Sequence, residues 1–134
     1  MCDTNIIAEL RKRQRANAGV LRWFESVEEE AALRVSVLTL GEIRKGIERV
    51  RRSEPAKCRM LEGWLEELES TYSDSILPVS SQVADQWGRW SALRPLPVID
   101  ALLAATAKIH GITLVTRNTK DLAGLDCELL NPFD

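Results

Sequence analysis

The stretch from Pro97 to Asp121 constrains this chain most, because little of it tolerates water. Pro95-Leu96-Pro97 forms an extended lead-in, since two prolines cannot continue a preceding helix. From Ala101 to Ile109 nearly every residue is small or apolar. That is too many for a helix with one wet face, so burial on several sides is predicted. Gly111 fits the left-handed position just past a helix C-terminus. Ile112 to Val115 is a short apolar run, as in a strand covered on both faces. Helix, tight turn and buried strand make half of a βαβ unit. Asp100, Asn118 and Asp121 stand at its junctions, with Asp100 expected to cap the helix.

The rest of the chain repeats this alternation. Met1 and Cys2 leave little chain before Asp3 for a strand of ordinary length, about five residues. The first strand is therefore expected to be stunted, or the natural chain to begin upstream. Ile6, Ile7 and Leu10 open a helix, followed by the basic cluster Arg11, Lys12, Arg13 and Arg15. Val20, Trp23, Phe24 and Val27 mark one face of a second helix, which Glu28 to Glu30 would end in solvent. Leu33 to Leu38 reads as a strand. Ile43, Ile47 and Val50 then follow at helical spacing, with Arg44, Lys45, Arg49, Arg51 and Arg52 on the other face. Pro55 suits the first turn of a helix running to about Tyr72. Ile76 to Val79 is a brief strand whose Pro78 suits an edge. Ser80 or Ser81 caps the next helix, and Cys127 to Leu130 is a last short strand. Strands alternating with helices predict a mostly parallel sheet with helices on both faces.

At 134 residues the chain suits one domain, with no repeat or linker to divide it. A net charge of −2 argues weakly against a protein that coats nucleic acid, although a local basic stripe can coexist with it. Cys2, Cys58 and Cys127 are odd in number and lack metal-ligand spacing, so reduced thiols and a cytoplasmic location are expected. No apolar run approaches the roughly 20 residues of a membrane span. His110 is the only histidine, at a helix end, so no Ser-His-Asp or Cys-His arrangement has a convincing base. The four tryptophans share helical faces with aliphatics, which favours core packing over base stacking.

The chemistry rests with the carboxylates. Singly, each has a plain explanation. Asp3 and Asp100 read as N-caps, Glu42 closes a capping box with Thr39, and Asp121 reads as a turn residue. Together they are harder to dismiss, because a parallel sheet puts all these junctions on one rim. Two carboxylates about 6 Å apart repel by roughly 3 kcal/mol at an effective dielectric of 20. A helix N-terminus returns only about 0.3–1 kcal/mol to each. Repulsion wins, so the cluster should take up protons or a cation. Oxygen-only ligands favour Mg²⁺ or Mn²⁺, which polarise phosphoryl oxygens and activate water. The basic face that follows Glu42 suits a phosphate backbone.

Asp3-Thr4-Asn5, Leu38 to Gly46, Ile99 to Ala107 and Thr116 to Asp121 resemble, in order, the motifs of PIN-domain ribonucleases. The resemblance is strongest to the VapC/FitB toxins of bacterial toxin–antitoxin pairs, and Asn131-Pro132-Phe133 is similar to that group's C-terminal ending. It implies a three-layer α/β/α sandwich over the whole of residues 1–134, and Mg²⁺- or Mn²⁺-dependent RNA cleavage. It also implies neutralisation by a cognate antitoxin, and a homodimer that can form a heterotetramer or larger assembly with that antitoxin. By position, Asp3, Glu42 and Asp100 match the core acidic residues. Relatives place the fourth acid either at Asn118 or at Asp121. Asn118 or Asp121 would orient the attacking water, and Arg44, Lys45 or Arg117 would meet the phosphate. Two alternatives are a catalytically inactive family member kept for binding and a phospho-acceptor signalling domain. The latter normally carries adjacent acids after its first strand, which Asp3-Thr4-Asn5 lacks.

Overall fold

The computed structural model describes residues 1–27 and 33–134. Each helix begins where a side chain or a proline accommodates its unpaired N–H groups. Asp3 caps α1 (Thr4–Leu10), and Ser36 caps α3 (Val37–Val50). Pro55 takes the first position of α4 (Pro55–Thr71), and Ser80 caps α5 (Ser81–Ser91). A 3-10 turn at Arg13–Arg15 leads to α2 (Ala18–Val27), and α6 spans Val98–Ile109. Gly111 does adopt the left-handed conformation, with φ +64°. The expected end of α2 at Glu28–Glu30 lies outside the described residues.

The strands are short: β1 (Val35–Ser36), β2 (Ile76–Leu77), β3 (Leu114–Val115) and β4 (Leu129–Leu130). Cys2 alone stands in for the stunted first strand, bridging Val35 on one side and Val115 on the other. The order is therefore β2–β1–Cys2–β3–β4, all parallel, with β2 and its following Pro78 at an edge. Side chains alternate across this sheet and divide the core in two. Cys2, Val35 and Val115 join Ile6, Val20, Ile47 and Leu65 of α1 to α4. Met1, Leu77 and Leu114 join Val83, Trp90, Leu103 and Leu122 on the side of α5 and α6. Helices on both faces of a parallel sheet give the expected α/β/α sandwich. Of α6, Ala101, Leu103, Ala104, Ala105, Thr106 and Ala107 are all buried, as its composition demanded. Among the described residues no helix is long and apolar enough to cross a membrane.

Three local expectations need correction. The run Leu33 to Leu38 is not one strand, because Ser36 caps α3 and Val37 and Leu38 already belong to that helix. Thr39 and Glu42 consequently form no capping box. Thr39 lies inside the first turn of α3, and Glu42 one turn beyond the N–H groups a box would satisfy. Asp100 is likewise not a cap: Pro97 holds that position and Asp100 is the third helical residue. Proline restricts the residue before it and leaves the residues after it free to turn helical, so α6 starts three residues early.

The C-terminal tail closes over α2. Asn17 Oδ1 accepts from the N–H groups of Gly19 (2.9 Å) and Asp134 (3.1 Å). Arg22 reaches both Asp134 carboxylate oxygens at 2.7 and 2.8 Å. A Cβ on Gly19 would stand 2.2 Å from the Pro132 carbonyl oxygen. Alanine normally favours a helix by up to about 1 kcal/mol over glycine. Here overlap with backbone should outweigh that, and Gly19→Ala is expected to cost about 1–3 kcal/mol in thermal unfolding. An unchanged or raised melting temperature would show that the tail does not lie on α2 in solution.

Candidate active site

The carboxyl ends of the strands form a rim on which the acidic residues gather. Asp3, 2% exposed, follows Cys2 directly. One oxygen accepts from the Ile6 N–H (3.0 Å) as the cap of α1, and the other from the Thr116 hydroxyl (2.5 Å). Thr116 follows β3, and its oxygen accepts in turn from the Asn118 N–H at 3.0 Å. Asn118 Nδ2 then donates to Asp100 Oδ2 at 2.6 Å, tying the end of β3 to the first turn of α6. On the other side, Thr4 Oγ1 donates to Glu42 Oε1, joining α1 to α3. Burial pushes the Asp3 carboxyl above its ordinary range, and the nearby Asp100 charge adds to this. The Thr116 and Ile6 bonds oppose the shift but do not cancel it.

The structure thus brings Asp3, Asp100 and Asn118 into one hydrogen-bonded chain and ties Glu42 to Thr4, Asp3's neighbour. Asp121 is different. It lies exposed in a turn, and its backbone carbonyl accepts from Arg94 at 3.2 Å. Arg44 is held at 3.1 Å by Glu62 of α4, and Lys45 is exposed on the same helix. Arg117 sits between Thr116 and Asn118, with its guanidinium 4.6 Å from the Phe133 ring centroid. His110 is the exposed residue at the end of α6. Sequence reasoning gave no role to Thr4 and Thr116, the hydroxyls that orient the carboxylates. Their only signal was position, one residue past Asp3 and one past the buried β3.

Among the described residues, no group of three or more His, Cys, Asp or Glu side chains is placed to hold a metal ion. What the rim offers is the Asp3–Asp100 pair, with an amide and hydroxyls around it. That donor set is all oxygen, and its Asp3 carboxylate is buried with no ion pair among the described residues. It fits a hard cation such as Mg²⁺, which binds through one or two carboxylates and keeps several waters.

The PIN domain family profile matches residues 1–126. The chain is 28% identical over 139 residues to Toxin FitB of Neisseria gonorrhoeae, covering 99% of this chain and 97% of that protein. It is 28% identical over 143 residues to a VapC ribonuclease of Sinorhizobium fredii, covering 98% and 96%. The crystal structure of FitAcB from Neisseria gonorrhoeae superposes with a TM-score of 0.80 at 28% identity, over 98% of this chain and 96% of that one. VapBC2 from Rickettsia felis, bound to a promoter DNA fragment, shares the fold at 18% identity with a TM-score of 0.76, covering 100% of this chain and 98% of that one. A profile that matches residues 1–126 of a 134-residue chain is decisive: this chain belongs to the PIN domain family.

Proposed function

We propose that this protein is the ribonuclease toxin of a toxin–antitoxin pair, cleaving RNA phosphodiester bonds at the Asp3–Asp100 rim with Mg²⁺ or Mn²⁺. The observation that carries this reading is the buried Asp3 carboxylate, raised in pKa and linked through Thr116 and Asn118 to Asp100. Asp3 and Asp100 would hold the cation directly, with Glu42 acting through water. Once bound, the ion supplies a Lewis acid at the phosphoryl oxygen and lowers the pKa of water for in-line attack. Thr116 and Thr4 fix the rotamers of Asp3 and Glu42, so the carboxylates need not reorganise when substrate arrives. Asn118 bonds Asp100 directly and is better placed than Asp121 to orient water, since Asp121 lies exposed in its turn. Arg117 and Lys45 are the cations left to meet the phosphate, because Glu48 and Glu62 occupy Arg44.

The relatives' names support the partner. Complexes of the FitAB and VapBC type are toxins held by antitoxins, and we extend that arrangement to this chain, as a cytoplasmic homodimer able to build a larger assembly with its antitoxin. Purified protein incubated with cellular RNA should cut it in Mn²⁺, and chelator or the neighbouring gene's product should stop the cutting. Millimolar Mn²⁺ should also raise the melting temperature, following RT ln(1 + [L]/Kd), about 2.7 kcal/mol at a hundredfold excess over Kd. A melting temperature indifferent to Mn²⁺, together with intact RNA, would remove the metal-dependent reading.

A further inference from the structure

Phe133 lies in the C-terminal tail, outside every acidic motif. We infer that it is a positioning residue, whose ring holds the Arg117 guanidinium beside the acidic rim with its N–H donors turned to an RNA phosphate. This rests on the ribonuclease reading above.

The backbone of Arg117 is fixed from both sides. Thr116 is bonded to Asp3 and Asn118 to Asp100, so Arg117 leaves the chain between two site residues. The Thr116 N–H also donates to the Leu130 carbonyl at 2.9 Å, so the tail departs from the sheet beside it. The tail is then pinned around Phe133. Its own N–H donates to Asn131 Oδ1 (3.0 Å), and Asp134 is held by Asn17 and Arg22. Pro132 lies against Gly19 too closely for any larger residue. The ring is thus a fixed platform, and the guanidinium sits 4.6 Å from its centroid.

The kind of contact matters. Arg44 and Arg51 are held by carboxylates: Glu48 and Glu62 consume their N–H groups and neutralise their charge. An aromatic face attracts the cation through its quadrupole and uses none of the in-plane N–H donors. Arg117 is therefore immobilised with no ion pair among the described residues, Glu9 feeling its charge only at longer range, so its N–H donors stay available, which is what a phosphate-binding residue needs.

The test is binding of a labelled single-stranded RNA of mixed sequence to the full chain in EDTA, followed by anisotropy across a salt series. Phe133→Leu should weaken binding about three- to fivefold, the size of a cation–π contact at an exposed site. Phe133→Tyr should restore it. Arg117→Ala should weaken binding further and flatten the salt dependence by about 0.7 in slope, one phosphate contact to a single strand. In the Arg117→Ala background, Phe133→Leu should cost nothing more. Should Phe133→Leu loosen the whole tail, Arg117→Lys provides a second route, because it keeps the charge, loses the flat stacking surface, and should mimic Phe133→Leu. Equal losses from Phe133→Leu with and without Arg117, no loss at all, or no RNA binding by the parent protein would each overturn the inference. A parent protein that binds RNA but never cuts it with Mn²⁺ would instead sink the ribonuclease reading, while the same binding curves still decide the Arg117–Phe133 coupling.

Discussion

Asp100→Asn is expected to abolish RNA cleavage and leave the fold standing. Asp100 is the third residue of α6, and Pro97 occupies the cap, so the start of that helix does not depend on the Asp100 side chain. Removing the charge gives up a helix-dipole interaction of about 0.3–1 kcal/mol. It also relieves repulsion from Asp3, whose carboxyl is pushed up by burial first and by the Asp100 charge in addition. The relieved repulsion is at least as large as the dipole interaction, so the melting temperature without metal should stay unchanged or rise by a few degrees. The bond from Asn118 survives as well, because the new amide oxygen can accept it. What is lost is one of the two carboxylates proposed to hold the cation. Cleavage should fall at least about a hundredfold, since a bound metal contributes several kcal/mol to a developing phosphoryl charge. Purified protein of each form, tested on a susceptible RNA in Mn²⁺, decides it. Wild-type cleavage by a folded Asp100→Asn protein would end the assignment.

The corrected position of Asp100 shows where the chain was legible and where it was not. Signals that act within a few residues read correctly: Pro55 at a first helical position, Ser80 as a cap, Gly111 with positive φ, and the buried surface of α6. The alternation of apolar strands and amphipathic helices was enough to predict a two-sided parallel sheet. Boundaries failed where two local signals competed. Ser36 and Thr39 could each cap α3, and only the pairing of Val35 and Ser36 with Ile76 and Leu77 selects the earlier one. The approach of Asp100 to Asp3 followed from the sheet's direction, while Glu42 reaches the site only through Thr4. The bonds that orient them did not. Thr116 meets Asp3 across 113 residues, and Thr4 meets Glu42 across 38, so no spacing announces either contact. The same holds for Arg44, which pattern alone assigned to a phosphate and which Glu62 claims from a neighbouring helix.

Asp3→Asn should separate the structural and chemical roles of the most buried acid. Asparagine caps a helix as well as aspartate does, so the bond from Ile6 should persist. The Thr116 hydroxyl, now donating to Asp3, can instead accept from the new amide. What changes is the cost of ionising a desolvated carboxyl. The folded-state pKa of Asp3 is raised above its ordinary 3.8, so the native state binds the proton more tightly than the unfolded chain does. Stability from this group is therefore fully present below pH 3.8, and is lost as pH rises through the folded value. The Asn variant carries no such loss. In EDTA it should match the parent most nearly at acid pH and become the more stable form as pH climbs toward neutral. Mn²⁺ should reverse the order at neutral pH, because only the parent keeps the carboxylate that turns this burial cost into cation affinity. Cleavage by the variant should be lost along with that reversal. If Asp3 served only as a cap, the pH dependence in EDTA would still differ, but Mn²⁺ would shift the two melting curves equally and the variant would cut RNA as the parent does.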